Sequence, residues 1–260
     1  MFYRHTYWHL TKYYFCVQME VIKRYATSST NEEIKQIVQG KKITEPLCLY
    51  SKCQSDGKGQ LGNRWSSEPY KNLTCSFYFN EIDIPVSKQF NLSVFVALAI
   101  SKTLKELGLK ETLIKWPNDI LAGDHHKICG ILTENTLSGS LIKSSIIGIG
   151  INVNQKKFPG LSGATSIALE LGVDLQIDFV LRRLISNLEG LNKQSLLKID
   201  LDRYYQKLYR YKETHHFKDK NGNIFKGKIL GVTSNGYLRV YKLQEQQLEE
   251  YDVKEIKFVV

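Results

Sequence analysis

The chain has 260 residues, of which 42% are hydrophobic, 11% aromatic and 24% charged. This composition suffices for a sizeable buried core and excludes a disordered or low-complexity protein. The formal net charge of +10 suits an anionic partner such as nucleic acid, a nucleotide or an acidic protein, but the basic residues are scattered along the chain and select none of these.

Residues 1–18 are aromatic and basic, without the continuous apolar stretch of a signal peptide. We expect them to be an extra segment outside the fold, whose pattern begins at residue 21. No apolar run approaches the roughly 20 residues that span a bilayer. The five cysteines are odd in number and contain no CxxC pair, which predicts free thiols in a reducing cytoplasm.

The first half of the chain alternates predicted strands and helices. A pattern typical of a capping box at residues 30–33 opens a helix that Gly40 ends. The other predicted elements are strands at 21–25, 47–53 and 73–79, a long loop from 54 to 71, and an apolar-periodic helix at about 87–107 that Gly108 ends.

A group of strands follows, and then more helices. The predicted strands are 112–116, 120–122, 128–135 and 141–153. The predicted helices are a short one within 162–171 and two amphipathic ones at 178–197 and 201–211.

Residues 215–260 have a different character, with short strands and tight turns. Asn221-Gly222 and Asn235-Gly236 are dipeptides that favour hairpins. We expect a five-stranded barrel of SH3-like type, which is small enough that it should dock on the larger domain.

The loop GKGQLGNRW at residues 57–65 contains the literal pattern GxGxxG. A dinucleotide-binding fold requires a helix to open at the third glycine, but the residues after Gly62 lead into a strand. The loop could instead fold its backbone N–H groups and Lys58 over an anion, with Trp65 as an apolar plane at its end. A flexible surface loop with incidental glycines is the alternative.

Two further motifs carry polar groups at strand ends. In KWPND, at residues 115–119, Pro117 keeps Trp116 out of a helix and predicts a turn. In GIGINV, at residues 148–153, the glycines let a ligand approach the strand closely.

Together these motifs resemble those of the biotin protein ligases. The loop has the glycines and the tryptophan of the family's GRGRxGRxW motif, whose arginine positions here hold Lys58, Gln60 and Asn63. Lysine keeps the charge of arginine but loses its two-pronged hydrogen bonding. Residues 29–31 resemble the family's STN motif, although Ser29 or Thr30 could serve only as a helix cap. Lys127 precedes an apolar strand, as the family's catalytic lysine does.

The resemblance covers about residues 20–260 and implies a fold. It implies an α+β catalytic domain like that of class II aminoacyl-tRNA synthetases, a mixed sheet flanked by helices, over residues 19–211. A small SH3-like β-barrel would occupy residues 212–260. The helix-turn-helix domain that precedes some bacterial ligases is not expected here, nor is DNA binding.

The resemblance also implies a reaction and its residues. ATP would activate the carboxylate of biotin as biotinyl-AMP, and the acyl group would pass to a lysine of a carrier protein. Lys127 is the expected principal catalytic cation, with Lys58 assisting. The implied biotin contacts are Ser29, Thr30, Asn31, Gln54, Gly57, Lys58, Gly59, Gln60, Lys127 and Gly130. The implied nucleotide contacts are Gln60, Asn63, Trp65, Lys115, Asn118, Asp119 and Asn152.

Magnesium is expected to arrive with ATP, near Asp119, rather than in a cage of protein ligands. The expected partner is the biotin carboxyl carrier protein of acetyl-CoA carboxylase or another carboxylase, with no membrane partner, and the protein is expected to be a monomer or weak homodimer. Two alternatives stay open. One is lipoate or octanoate attachment on the same fold, and the other is a basic nucleic-acid-binding module built on the C-terminal barrel.

Overall fold

The computed structural model describes residues 19–259, so the expected extra segment at 1–18 lies outside the described residues. A large mixed sheet carries the first part of the chain and a smaller antiparallel sheet the last part. The elements of the first part are β1 (Glu20–Arg24), α1 (Thr30–Val38), β2 (Leu47–Ser51), β3 (Leu73–Phe79), β4 (Ile84–Pro85), α2 (Gln89–Glu106), β5 (Thr112–Lys115), β6 (Asp119–Ala122), β7 (His126–Ser138) and β8 (Leu141–Ile151).

The remaining elements are short helices followed by five strands. They are α3 (Ile167–Leu171), α4 (Ile177–Leu188), α5 (Lys193–Leu197), α6 (Leu201–Tyr205), β9 (Thr214–Asp219), β10 (Ile224–Val232), β11 (Leu238–Lys242), β12 (Gln247–Tyr251) and β13 (Ile256–Phe258). Among the described residues, no helix is both long and apolar enough to cross a membrane.

The large sheet has the order β1-β2-β3-β8-β7-β6-β5, with β4 added alongside β8. Only β1 and β2 are parallel; the other neighbours are antiparallel. Helix α1 packs on one face, where Ile34 meets Leu47, Leu49 and Ile146. The long helix α2 lies within the main core, against which α4 also packs. The predicted mixed sheet with flanking helices is confirmed.

The face that carries α1 also holds a bare area of sheet. Because side chains alternate along a strand, Gly148 and Gly150 share this face with Ile146. On the neighbouring strand β7, Gly130 lies opposite Gly150. Three glycines thus leave the backbone uncovered beside α1, and other groups can lie close to it.

The second sheet has the order β12-β11-β10-β9-β13 and is antiparallel throughout. The five predicted strands are therefore present, and the turns at Gly222 and Gly236 have φ of 90° and 96°, which glycine adopts without strain. Its core is continuous with that of the large sheet. The indole Nε1 of Trp116 donates to the carbonyl of Gly236 at 2.9 Å, so the two sheets are also joined by a hydrogen bond.

Three local predictions are wrong. The predicted helix over 178–197 is two helices, α4 and α5, separated at Gly190, and Asn192 caps α5 by accepting from the N–H of Ser195 at 2.9 Å. The helix predicted over 201–211 ends at Tyr205, because the following turns bring Leu208 alongside Ile114 of β5.

The capping box predicted at residues 30–33 is also not formed. Ser29 is the N-cap of α1, and its side chain makes no capping hydrogen bond among the described residues. The hydroxyl of Thr30 instead lies between Ser76 and Gln54. The residues chosen as a cap therefore serve a different contact.

Candidate active site

A cavity of about 450 Å³ lies over the bare glycine surface of the large sheet. Its wall combines α1, the loop at 57–65, the ends of β5, β6, β7 and β8, and residues of the C-terminal sheet. The volume falls in the range of small-molecule sites. Most of the predicted site residues line it: Ser29, Thr30, Asn31, Gln54, Lys58, Gly59, Gln60, Asn63, Trp65, Lys115, Asn118, Asp119, Lys127 and Gly130.

The wall of the cavity is strongly positive. Its basic residues are Lys58, Arg64, Lys115, Lys127 and Lys257. The one acidic residue of this wall, within residues 19–259, is Asp119. Such an excess of cations favours an anionic ligand, since charges in a cleft with low-dielectric walls reinforce one another.

Lys127 occupies the centre of this wall. Its Nζ lies 2.7 Å from Oδ1 of Asp119 and 5.6 Å from the centroid of the Trp65 ring. Both partners orient the ammonium group toward the floor of the cavity, where an added Cβ on Gly130 would lie 3.3 Å from Nζ. Asp119 is thus in position to orient Lys127.

The glycine-rich loop forms a small hairpin across the cavity. The N–H of Trp65 donates to the carbonyl of Gly57 at 2.8 Å, and that of Gly59 donates to Asn63 at 2.7 Å. Leu61 sits at the tip with φ of 58°. Lys58 remains accessible, with 49% of its side chain exposed and the carboxylate of Asp56 3.9 Å away. The loop therefore places its cation at the edge of the cavity.

Trp65 anchors the hairpin on the sheet. A Cβ on Gly150 would lie 2.3 Å from Cε2 of its ring, and one on Gly130 would lie 3.0 Å from Cζ3. The indole thus rests directly on the backbone of β7 and β8. These two positions require glycine because any side chain would occupy the space of the ring.

The KWPND motif forms the predicted turn, and the peptide bond between Trp116 and Pro117 is cis. The side-chain amide of Asn118 donates to the carbonyl of Ile131 at 2.8 Å, which ties the turn to β7. Lys115 is half-buried, and this burial lowers its pKa from 10.5; Arg210 and Lys127 lower it further, while Asp119 opposes the change.

Two predicted contacts lie elsewhere. Gly57 does not line the cavity, because it sits behind Trp65, whose carbonyl oxygen would be 2.5 Å from an added Cβ. Asn152 is buried and also lies outside the wall; its amide donates to the carbonyl of Thr165 at 2.9 Å. The side chain of Asn152 therefore braces the chain after β8.

The cavity offers no protein cage for a metal ion. Asp119 already faces Lys127, and the described part of the chain holds no group of three or more histidine, cysteine, aspartate or glutamate side chains arranged for a metal.

Several wall residues were not predicted from the sequence. They are Arg64, Cys75, Ile131, Leu132, Ile149, Val253, Ile256, Lys257 and Phe258, among others. The last four come from the end of the chain, more than 100 residues from the motifs, and no local pattern links them to the site. Alternation along β7 and β8 was the available signal for Leu132.

With this geometry in place, the comparisons with known proteins can be read. Residues 24–152 match the family described as "Biotin/lipoate A/B protein ligase family". The chain belongs to this family. The matched segment contains the motifs at 29–31, 57–65 and 115–119, Lys127, and all but the last residue of the motif at 148–153.

Curated relatives share the same segment. Over 129 residues, half of this chain, it is 35% identical to the bifunctional ligase/repressor BirA of Bacillus subtilis, of which the match spans 39%. Over 159 residues, 60% of this chain, it is 30% identical to the biotin–[acetyl-CoA-carboxylase] ligase of Mycobacterium tuberculosis, of which the match spans 56%. The matched part of the chain thus covers about half or less of these relatives.

The fold is shared over nearly the whole chain. A biotin protein ligase from Aquifex aeolicus in complex with biotin and ATP superposes with a TM-score of 0.73 at 24% identity, covering 92% of this chain and 99% of that one. The likeness therefore extends to the C-terminal sheet.

Proposed function

We propose that this protein is an ATP-dependent ligase that attaches biotin to a lysine of a biotin carboxyl carrier protein through biotinyl-AMP. The observation that carries the proposal is that Lys58, Lys115 and Lys127 line one cavity. The floor of that cavity includes Gly130, Gly148 and Gly150. The Mycobacterium tuberculosis relative is named as a biotin–[acetyl-CoA-carboxylase] ligase, and the Aquifex aeolicus neighbour is a biotin protein ligase in complex with biotin and ATP.

The first step joins two anions. An oxygen of the biotin carboxylate attacks the α-phosphorus of ATP, a mixed anhydride forms, and the bond to pyrophosphate breaks. At ~4 Å in a partly dry site, two unit charges repel by about 4 kcal/mol. Lys127 offsets this repulsion between carboxylate and phosphate, and Lys58 adds a second positive charge from the loop. Magnesium would accompany the phosphates of ATP and supply further positive charge.

The second step needs no nucleophile from the enzyme, because the anhydride is already activated. The neutral amine of the carrier lysine attacks the acyl carbon, an amide bond forms, AMP leaves, and the amine proton passes to solvent. The protein's contribution is to hold the anhydride and to leave an open approach. The hairpin at residues 57–65 would cover the intermediate between the two steps.

The polar end of the cavity favours biotin over lipoate. Thr30 and Gln54 present oxygen atoms there, and the biotin ring carries N–H groups that need such acceptors. Lipoate and octanoate have no N–H donor in the corresponding part. The five cysteines, odd in number and without a CxxC pair, support a cytoplasmic location.

The test is an adenylation assay with three acids. The protein is incubated with ATP, Mg²⁺ and biotin, lipoate or octanoate, and acyl-AMP is identified by mass spectrometry. Biotinyl-AMP, followed by transfer to a carboxyl carrier domain, is the expected result. Lipoyl-AMP or octanoyl-AMP alone would assign the related activity, and salt-sensitive RNA retention without any adenylate would assign the nucleic-acid alternative.

A further inference from the structure

A chain of hydrogen-bonded side chains runs behind the polar end of the cavity. It begins at Glu134 on β7, whose Oε2 accepts from Nδ2 of Asn31 at 2.7 Å. Oδ1 of Asn31 then contacts the hydroxyl of Ser76 on β3 at 2.5 Å, and that hydroxyl lies 2.7 Å from Oγ1 of Thr30. Asn31, Ser76 and Thr30 are all buried. Water therefore does not compete for the contacts among these three residues.

The carboxylate fixes the orientation of the Asn31 amide. An ionised carboxylate only accepts hydrogen bonds, so the group that faces Glu134 must be the NH₂ of the amide. The carbonyl oxygen Oδ1 is then turned toward Ser76. Gly148 leaves room for this arrangement, since an added Cβ there would clash with Oδ1.

Counting protons along the chain fixes the remaining directions. Oδ1 of Asn31 cannot donate, so the single proton of Ser76 points to it. The oxygen of Ser76 then has no proton left for Thr30, so the hydroxyl of Thr30 donates across their 2.7 Å contact rather than across its longer, 3.1 Å contact with Oε1 of Gln54. The hydroxyl proton of Thr30 is thereby drawn inward, away from the cavity.

The result is a pair of acceptors at the end of the cavity. Oγ1 of Thr30 lies 3.1 Å from Oε1 of Gln54, and both residues line the wall. The same Oε1 accepts from the backbone N–H of Thr30 at 2.8 Å, so it too is an oxygen without a proton. With the Thr30 proton committed to Ser76, two neighbouring lone-pair groups face the ligand.

We propose that Glu134 is a positioning residue that acts through Asn31 and Ser76 to hold the Thr30 hydroxyl as an acceptor for a ring N–H donor of the bound acid. This rests on the proposed function, in which that donor belongs to the biotin ring. Glu134 lies at the far end of the hydrogen-bonded series and does not line the cavity. Its effect is to select a donor-bearing ligand rather than to assist the chemistry.

Lys35 holds the carboxylate in place. Its Nζ lies 2.7 Å from Oε1 of Glu134 and 3.1 Å from Oε1 of Glu32. Burial alone would lower the pKa of Lys35, but its hydrogen bonds with Glu134 and Glu32 raise it overall. The ammonium group therefore leaves Oε2 of Glu134 free for Asn31.

The test replaces the carboxylate by an amide of the same shape. Glu134→Gln can donate to Asn31, which allows the Asn31 amide to turn over and the hydroxyl chain to reverse. We expect KM for biotin to rise about tenfold, the scale of one hydrogen bond to a charged group, with kcat little changed. Glu32→Gln is the matched control. It makes the same charge change beside Lys35, but Glu32 does not belong to the hydrogen-bonded series.

Two biotin derivatives, each methylated on one ring nitrogen, separate positioning from a general effect on folding. For the derivative that lacks the N–H facing Thr30, Glu134→Gln should add no further loss. An equal KM increase for biotin and both derivatives would overturn the proposal, as would unchanged KM for biotin. Wild-type protein that forms no biotinyl-AMP would refute the proposed function and this proposal with it; normal wild-type turnover with unchanged KM in Glu134→Gln would refute the proposal alone.

Discussion

At the scale of single residues, Lys127 is held between a carboxylate and an aromatic ring in the wall of the cavity. Its ammonium group contacts Asp119 at 2.7 Å and lies over the Trp65 ring, yet 37% of its side chain remains exposed. The carboxylate of Asp119 offsets its positive charge. A bound carboxylate and phosphate would take over that role, so the same group can bridge two substrates that repel each other.

Removal of this cation should mainly affect the adenylation step. We expect Lys127→Ala to reduce the rate of acyl-AMP formation about 100-fold or more, since a charge aimed at the reacting phosphate is lost. Lys127→Arg should retain part of the rate. The measurement is single-turnover formation of acyl-AMP, and Lys156→Ala, which removes an exposed partner of Asp174, is the control. A rate near that of wild type in the alanine variant would contradict the role given to Lys127.

The sequence predicted the residues that meet the ligand better than those that support them. Lys127, Asn118 and Thr30 lie within short motifs, whose residue types already suggest polar contacts. Ser76 and Glu134 lie in strands that read as ordinary alternating segments. Their relation to Asn31 depends on which strands are neighbours in the sheet, and pairing across 45 and 103 residues is not visible in a local pattern.

At the scale of elements, the hairpin at residues 57–65 and the strands β7 and β8 are shaped to fit each other. The three loop glycines predict a loop rather than the start of a dinucleotide-binding helix, and residues 57–65 form a hairpin. The glycines of the strands were linked to close approach of a ligand, but at Gly150 and Gly130 the group that approaches is Trp65. Glycines in a strand indicate that another group packs against the backbone, but they do not identify that group.

This fit makes Gly150 a sensitive position. In Gly150→Ala the new Cβ would lie 2.3 Å from the Trp65 ring, so the indole must leave the sheet and the hairpin loses its anchor. We expect faster dissociation of acyl-AMP and a smaller effect on the stability of the fold. Gly163→Ala is the matched control, since no atom among the described residues lies within 4 Å of its added Cβ. The measurement is the release rate of preformed acyl-AMP, and an unchanged rate in Gly150→Ala would argue against Trp65 as the anchor.

The helices show where element prediction fails. The apolar periodicity of residues 178–197 continues through Gly190, so the segment reads as one helix. In the fold, Leu188 and Leu196 are both fully buried although α4 and α5 are separate, because the turn between them redirects the chain along the same core. Periodicity reports burial, and a break that preserves burial is not detected by it.

At the scale of the whole molecule, the C-terminal sheet completes the cavity. Phe258 of β13 lies with its ring centroid 5.4 Å from Nζ of Lys115, and Arg210, whose Nη1 donates to the carbonyl of Val259 at 3.0 Å, lies close to the same ring. The composition change after residue 212 predicted the second sheet and its docking. It did not predict that the last strand would enclose a lysine of the large sheet.

The enclosure has a consequence for pH dependence. Burial lowers the pKa of Lys115 from 10.5, with Arg210 and Lys127 adding to the effect. A lysine with a lowered pKa loses its charge as the pH rises, before an ordinary lysine does. If this cation helps to bind ATP, KM for ATP should therefore begin to rise below pH 10.5, and Lys115→Met should have a higher KM with that rise removed.

The second sheet can be tested as the source of this shift. Phe258→Ala should let water reach Lys115 and return its pKa toward 10.5, whereas Phe258→Leu keeps an apolar group there and should change it less. The direct measurement is the pH dependence of the acylation of Lys115 by a small amine-reactive anhydride in the absence of substrates. The extent of acylation is read by peptide mass spectrometry. An upward shift in the alanine variant, matched by a shift of the KM profile to higher pH, would connect the C-terminal sheet to the charge state of the cavity. The same labelling curve in wild type and Phe258→Ala would mean that the large sheet alone buries Lys115. The C-terminal sheet would then shape the cavity without changing the charge of Lys115.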